Sequence, residues 1–157
     1  MTTAMESRIV SGQEVVEWVA ATMNRPILGS VASEVAVGIG VEKDGEIIGG
    51  IIYNDWNGAN VFIHQAAVKK GRWLSRTFLS VIFHYAFEQL KVKRITAAMS
   101  SANVAANRVV TGLGFQLEAV LAGAEPDGDM NVYRMMAQDC RWINKQLLQR
   151  SVANGIS

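Results

Sequence analysis

Residues 35–54 read VAVGIGVEKDGEIIGGIIYN and carry the clearest structural signal in the chain. Their first half alternates valine and isoleucine with small residues, which is typical of a β-strand. Asp44-Gly45 then supplies the positive φ angles that a tight hairpin turn needs, and a run of isoleucines forms the return strand. A second turn at 54–60, rich in Asn and Gly, leads to a third strand at 61–68. The sequence therefore predicts a three-stranded antiparallel meander.

Helical and strand patterns follow one another through the rest of the chain. They predict helices at 11–24, 74–90, 103–113 and 138–150, and strands at 94–99, 115–121 and 131–136. A strand followed by a helix and another strand implies a right-handed crossover and a locally parallel pair. The predicted class is α/β (α+β), with a mixed, mostly antiparallel central sheet flanked by helices. The exposed strand edges and the apolar C-terminal helix of such a fold permit a homodimer.

The composition limits what kind of protein this is. The chain has 157 residues, of which 50% are apolar and 18% are charged, and its net charge is +1. These values predict one folded domain at 1–150 with a flexible tail at 151–157, and they exclude an intrinsically disordered chain. The near-neutral charge argues against a dedicated nucleic-acid binder. No apolar run approaches the ~18 residues that a membrane span needs, so no membrane partner is expected.

Cysteine usage points to a reducing compartment. Cys140 is the single cysteine, which excludes an intrachain disulfide and a cysteine-built zinc site. A cytoplasmic location is therefore expected. No His, Cys or Asp cluster has the spacing of metal ligands, so no metal is expected.

Basic charge is concentrated where the meander gives way to the helix at 74–90. The segment from Lys69 to Arg94 holds seven basic residues and one acid, Glu88, and its local charge of +6 exceeds the +1 of the whole chain. The free N–H groups of a helix start favour phosphate, and arginines bind phosphate oxygens through two parallel hydrogen bonds. Two other interpretations stay open. One is a solvated loop without a ligand, and the other is a nucleic-acid surface, whose binding would weaken steeply with salt.

Two asparagines mark the helix predicted at 103–113. Asn103 and Asn107 lie one turn apart on the same helix face. Asn103 is either the N-cap, a common use of asparagine, or an amide that hydrogen-bonds a polar ligand at the helix start. Gly114 stands where a left-handed residue would end the helix.

The order of elements and the segment Asn103-x-x-Ala106-x6-Leu113-Gly114-Phe115 resemble the GNAT acetyltransferase superfamily. The resemblance covers roughly residues 34–143. Within the superfamily the chain resembles the ribosomal-protein N-terminal acetyltransferase branch. Its sequence is also similar to small acetyltransferase-like proteins encoded by phages and prophages. The resemblance implies an acetyl-CoA-dependent N-acetyltransferase that acetylates a primary amine on a small molecule or a protein. The alternative is a catalytically weak or inactive acyl-CoA-binding module with a regulatory or structural role.

The resemblance also implies which residues bind acetyl-CoA. In such proteins a splayed strand pairs with the pantetheine arm, the following loop and helix start bind the pyrophosphate, and an Asn on the next helix contacts the pantetheine region. The residues implied here are Ala66, Ala67, Val68, Lys70, Gly71, Arg72, Trp73, Ser75, Arg76 and Asn103. Asn107 is predicted with them because it shares a helix face with Asn103. Trp73 has core filling as its alternative to stacking on adenine.

Two positions depart from the family pattern. The segment 72–77 lacks the glycines with which the family brings its backbone close to the pyrophosphate. Either the side chains of Arg72, Ser75 and Arg76 take over this role, or the affinity for acetyl-CoA is poor. Val110 stands where the family frequently has a Tyr that protonates the leaving thiolate.

Acetyl transfer to an amine also needs a general base near the amine. His64 lies on the strand before the basic loop, and a histidine titrates in the useful range. Its alternative is a hydrogen-bonded structural role. Gln65 cannot accept a proton and is suited to orient a water. Tyr133 is among the other polar groups that either border the acceptor site or lie on the surface.

Overall fold

The computed structural model describes residues 7–23, 36–68 and 73–143. Its elements are β1 (Ser7–Ser11), α1 (Gln13–Thr22), β2 (Val37–Lys43), β3 (Glu46–Asn54), β4 (Asn60–Ala67), α2 (Arg76–His84), a π-helical turn (Tyr85–Gln89), β5 (Arg94–Ser100), α3 (Val104–Leu113), β6 (Gln116–Glu125), β7 (Gly128–Met136) and a 3₁₀ turn (Ala137–Asp139). Seven mostly antiparallel strands and their flanking helices confirm the predicted α/β (α+β) class.

The described residues form two compact units. One unit holds the residues up to Asn57 together with Val61–Ile82, and the other holds Gly58–Asn60 together with the residues from Phe83 onward. The single domain at 1–150 stays a prediction. So does the tail at 151–157, which lies outside the described residues.

The predicted meander forms the first unit together with one additional strand. β2, β3 and β4 pair antiparallel in succession. Asp44 and Gly45, with φ angles of 54° and 81°, make the turn between β2 and β3, which confirms the Asp-Gly hairpin. β1 pairs antiparallel with β2. The sequence did not predict β1 because four of its five residues are exposed and show no apolar alternation.

α1 packs directly on β2 and β3 because a glycine leaves room for it. The valines on the buried face of the helix are at most 1% exposed: Val15, Val16 and Val19. A Cβ atom on Gly50 would lie 2.8 Å from Val19 Cγ2, which is closer than real Cβ contacts come. The helix begins after its N-cap residue, Gly12. Its predicted end at Asn24 lies outside the described residues.

Trp73 covers the other face of β3. Gly49 is adjacent to Gly50, so it points to the opposite side of the strand. A Cβ atom on Gly49 would overlap the Trp73 ring, so the ring occupies the space of the missing side chain. Trp73 also packs against Phe78, with ring centroids 5.7 Å apart. It thereby joins β3 to the first turn of α2.

The helix predicted at 74–90 changes its type along its length. The α-helix spans Arg76–His84, and Tyr85–Gln89 continues it as a π-helical turn in which the Leu90 N–H donates to the Tyr85 carbonyl at 2.8 Å. Its apolar side chains are buried as predicted, with Phe78 and Phe83 at most 1% exposed. Apolar periodicity alone does not separate these two helix types.

The second unit contains the strand order β5, β7, β6, with both pairs antiparallel. α3 ends at Gly114, whose φ of 108° confirms the predicted left-handed terminator. The prediction of a helix at 138–150 is wrong at its start, because Ala137–Asp139 forms a 3₁₀ turn. The Trp142 indole N–H donates to the Leu113 carbonyl at 2.9 Å and so satisfies a carbonyl at the end of α3. Residues 144–150 lie outside the described ranges.

Two arginines hold Glu118 on β6. The Arg94 guanidinium donates two hydrogen bonds to the carboxylate at 2.8 and 3.1 Å, and Arg134 Nε donates a third at 2.9 Å. Glu118 is the extra residue of a β-bulge, because Leu117 and Ala119 pair with successive residues of β7. The hydrogen bonds from Arg94, together with the charges of both arginines, hold the pKa of the Glu118 carboxyl below its ordinary value.

Gly49→Ala should destabilise the protein because the new methyl group competes with the Trp73 ring. Overpacking of this kind costs about 1–3 kcal/mol of unfolding free energy, measured by denaturant titration. Gly112→Ala is the matched control, since no atom lies within 4 Å of a Cβ there and alanine favours helix. Trp73→Leu in the Gly49→Ala background should recover part of the loss. A Gly49→Ala protein as stable as the parent would show that the ring moves aside freely.

Glu118→Gln should lower stability at neutral pH and have less effect in acid. A carboxyl whose folded pKa is depressed contributes stability above its unfolded pKa, and this contribution is lost as the pH falls through the folded value. The difference in unfolding free energy between parent and variant should therefore shrink between about pH 7 and about pH 3. Glu46→Gln removes an exposed carboxylate on the hairpin and serves as the control. A difference for Glu118→Gln that is independent of pH would contradict the ion-pair account.

Candidate active site

The backbone of β4 offers its polar groups to two different sides. The Val68 N–H donates to the Ile48 carbonyl at 2.9 Å. Because antiparallel bonding alternates along a strand, Ala66, opposite Gly50, also bonds to β3, whereas Ala67 directs its N–H and carbonyl away from β3. Of Ala66, Ala67 and Val68, which were expected to pair with the cofactor, only Ala67 therefore presents backbone groups on the side opposite β3.

The structure does not bring His64 and Gln65 to the same face. They are successive residues of β4, so their side chains project from opposite faces of the sheet. His64 Nε2 lies 3.1 Å from Asn54 Oδ1. An amide oxygen only accepts, so a hydrogen bond between these two atoms has Nε2 as its donor. Asn54 orients the imidazole, and sequence reasoning missed this partner because it lies on β3.

The start of α2 is a capped helix N-terminus. Ser75 Oγ accepts a hydrogen bond from the Phe78 N–H at 3.1 Å, and the Ser75 carbonyl accepts one from the Leu79 N–H at 2.9 Å. The N–H groups of Arg76 and Thr77 have no acceptor within the helix, because they belong to its first turn. Ser75, Arg76 and Thr77 are all exposed.

Other predicted residues of this region have different outcomes. Lys70, Gly71 and Arg72 lie outside the described residues. Trp73 is half-buried on Gly49 and Phe78. The structure therefore favours the core-filling alternative for this side chain over adenine stacking.

Asn103 caps α3 with one end of its amide. Its Oδ1 accepts the Ala106 N–H at 3.1 Å, which is the predicted N-cap. The side chain is exposed, and its Nδ2 group remains a donor for a carbonyl oxygen. The two interpretations of Asn103 are therefore compatible, since the oxygen serves the helix and the nitrogen is left as a donor for a ligand.

Asn107, in contrast, is fully engaged inside the second unit. Its Nδ2 donates to the Ser100 carbonyl at 2.9 Å and to the Asn103 carbonyl at 2.7 Å. Its Oδ1 accepts from Asn131 Nδ2 at 2.8 Å and from the Tyr133 hydroxyl at 2.7 Å. A primary amide has two donors and two acceptor positions, so Asn107 has no hydrogen-bonding capacity left for a cofactor in this arrangement.

An open cleft of about 600 Å³ lies over this hydrogen-bond network, between α3 and β7. Most of its lining surface is apolar although most of the lining residues are of polar type, and Arg108 supplies the charge: Ser101, Val104, Asn107, Arg108, Thr111, Gly112, Asn131 and Tyr133. Val110, at the position of the expected Tyr, is 1% exposed and brings no hydroxyl to α3. Sequence reasoning missed Asn131 and Ser100 because their contacts with Asn107 connect separate elements.

Two further searches cover the described ranges. Within residues 7–23, 36–68 and 73–143, no group of three or more His, Cys, Asp and Glu could hold a metal ion. In the same part of the chain, no helix is long and apolar enough to cross a membrane.

Residues 3–116 match the family described as "Acetyltransferase (GNAT) domain". The chain belongs to this family. As a GNAT protein it is an N-acetyltransferase that uses acetyl-CoA, and the implied family, activity and cofactor are confirmed. A comparison with curated proteins finds no match.

Solved structures share the GNAT fold with this chain. A mutant of the spermidine N-acetyltransferase SpeG from Vibrio cholerae is 13% identical, with a TM-score of 0.67. The match covers 89% of this chain and 98% of that chain. A dodecameric spermidine N-acetyltransferase from the same organism is 13% identical, with a TM-score of 0.64 and coverages of 84% and 94%. The yncA protein of Salmonella typhimurium, solved with acetyl-CoA, is 16% identical, with a TM-score of 0.64 and coverages of 86% and 95%. The ribosomal-protein branch and the similarity to phage and prophage proteins stay predictions, as does the cytoplasmic location.

Variants of Asn103 should distinguish its cap role from a merely exposed position. Asn103→Asp keeps an oxygen that accepts the Ala106 N–H, so we expect its unfolding free energy to match the parent. Asn103→Ala removes the cap and should lower the unfolding free energy by about 1 kcal/mol, as measured in denaturant. An alanine variant as stable as the aspartate variant would argue against the cap.

Proposed function

We propose that this GNAT protein transfers the acetyl group of acetyl-CoA to a primary amine and that the start of α2 binds the pyrophosphate of the carrier. The observation that carries the proposal is the Ser75-capped helix start, where the Arg76 and Thr77 N–H groups lack helical acceptors and the Arg76 side chain is exposed. Partial positive charge at a helix N-terminus favours phosphate, and the Arg76 guanidinium adds charge-assisted hydrogen bonds.

The remaining carrier contacts are proposed for residues whose polar groups point outward. The N–H and carbonyl of Ala67 face away from β3 and are available for the amide groups of the pantetheine arm. In the second unit, Asn103 Nδ2 is the donor proposed for a pantetheine carbonyl, because its Oδ1 already caps α3. Lys70, Gly71 and Arg72 stay in the proposal as the expected loop contacts on sequence grounds alone.

Acetyl-CoA, when bound, supplies an activated thioester. The chain must then remove a proton from the acceptor ammonium, and His64 is the proposed general base because Asn54 holds its ring in one orientation. Gln65 projects from the opposite face of β4. The water-orienting role predicted for it would therefore require the acceptor amine to approach from that face. Alignment of amine and thioester supplies the main rate enhancement.

A polyamine is the first acceptor to test. Spermidine N-acetyltransferases recur among the solved structures that share this fold, although likeness at 13% identity concerns the fold alone. A peptide N-terminus is the second acceptor, since the resemblance to the ribosomal-protein branch implies it. The homodimer expected from the exposed strand edges also stays a proposal.

Arg76→Ala should weaken acetyl-CoA binding while leaving the binding of acetyl-pantetheine, which lacks the phosphates, unchanged. Loss of a charge-assisted phosphate contact predicts a rise in the acetyl-CoA Kd of roughly five- to tenfold, measured by isothermal titration. Lys43→Ala on the hairpin removes one positive charge elsewhere and is the control. The unaltered protein, assayed for thiol release with spermidine and with a peptide panel, should turn over with at least one amine.

The outcomes separate the parts of the proposal. An equal loss for acetyl-CoA and acetyl-pantetheine in Arg76→Ala would remove the phosphate role of the α2 start. Tight acetyl-CoA binding without thiol release on any amine would favour the alternative of an acyl-CoA-binding module.

A further inference from the structure

The turn that connects β5 to α3 is held from two sides. From the helix, Asn107 Nδ2 donates to the carbonyls of Ser100 and Asn103, the two residues that bracket the turn. The tip of the β6–β7 hairpin contributes the other side. There the Ser101 N–H donates to the Asp129 carbonyl at 2.7 Å, and the Asp129 N–H donates to Ser101 Oγ at 3.1 Å.

The hairpin contact has two further anchors. Ser100 Oγ donates to Asp127 Oδ1 at 2.5 Å, and the same oxygen accepts the Ala102 N–H at 3.2 Å. Gly128 fits against this turn because it has no side chain, since a Cβ atom there would lie 2.8 Å from Ser101 Oγ. Ser100 is among the few buried polar residues of the described chain. The turn is therefore tightly constrained on the hairpin side, and Asn107 supplies the corresponding constraint on the helix side.

Asn107 is itself oriented by β7. Its Oδ1 receives two hydrogen bonds, from Asn131 Nδ2 and from the Tyr133 hydroxyl, so the amide cannot rotate by 180° without setting donors against donors. Tyr133 is 7% exposed, which places this hydrogen bond away from competing water. β7 therefore fixes the amide, and the amide adds a second hydrogen bond to the Asn103 carbonyl, which also accepts the Asn107 backbone N–H at 3.1 Å.

We propose that Asn107 is a positioning residue for acetyl-CoA, acting through Asn103 and oriented by Tyr133 and Asn131. This inference rests on the proposed contact between Asn103 Nδ2 and the pantetheine arm. The Asn103 carbonyl is held by Asn107 and its side-chain oxygen by Ala106. With both groups held, the outward Nδ2 has one direction, which pre-organises it for a carbonyl acceptor. Asn107 makes this arrangement without touching the cofactor.

Asn107→Asp tests the inference with an almost isosteric change. The aspartate keeps an acceptor for Asn131 and Tyr133 but places a carboxylate oxygen against the carbonyls of Ser100 and Asn103, so the turn must move. We expect the Kd of acetyl-CoA to rise roughly tenfold, equivalent to about 1.4 kcal/mol. The Kd of adenosine 3′,5′-bisphosphate, the nucleotide half without the pantetheine arm, should stay unchanged. In turnover the KM for acetyl-CoA should rise more than kcat falls.

Tyr133→Phe is the second variant, chosen to keep the fold if the aspartate variant does not. It removes one neutral hydrogen bond to Asn107 Oδ1 and should raise the acetyl-CoA Kd by roughly three- to fivefold, again without effect on the bisphosphate. Glu118→Gln, which weakens an ion-pair network elsewhere in the second unit, is the control for destabilisation alone and should leave both Kd values unchanged.

Equal losses for acetyl-CoA and the bisphosphate in both variants, or no loss in either, would overturn the positioning role. If the unaltered chain did not bind acetyl-CoA, the proposed function would fail and the inference with it. Normal acetyl-CoA binding by both folded variants would overturn the inference alone.

Discussion

The contact between the Trp73 ring and the bare backbone of Gly49 is the constraint on which the first unit depends. β3 is covered closely on both faces, by α1 at Gly50 and by Trp73 at Gly49, and neither approach leaves space for a side chain. Trp73 stands two residues before Ser75, so the contact also determines where the α2 N-terminus lies. Trp73, which was expected to bind the cofactor, therefore holds in place the helix start that is proposed to bind it.

The N-termini of α2 and α3 are capped by different side chains. Each helix has N–H groups that its own carbonyls cannot satisfy. Ser75 Oγ and Asn103 Oδ1 each satisfy the third N–H of their helix. A serine then has little more to offer a ligand, so Arg76 and the unsatisfied N–H groups are the donors proposed for the phosphate. An asparagine retains a separate nitrogen, so Asn103 can cap and donate at once.

Local signals were readable from the sequence, and long-range pairings were not. Asp44-Gly45 and Gly114 were predicted because a positive φ angle is a property of one or two residues. β1 was missed because what makes it a strand is its partner β2, about 30 residues away along the chain. Asn107 was expected to contact the cofactor because it shares a helix face with Asn103. Its real partners Asn131 and Tyr133 lie 24 and 26 residues further on, where no spacing rule reaches.

The replacement of the family's Tyr by Val110 changes what the rest of the site must supply. Val110 is buried and carries no proton. The Tyr133 hydroxyl cannot replace it without cost, because its proton is donated to Asn107 and transfer to a thiolate would break the network that orients the amide. We therefore expect catalysis in this chain to depend less on an acid from α3 and more on alignment of the reactants, which can contribute several kcal/mol. Alignment is sensitive to small displacements of the groups that hold the carrier. If Asn103 holds the carrier as proposed, a displacement of the turn between β5 and α3 should lower the rate by disturbing this alignment.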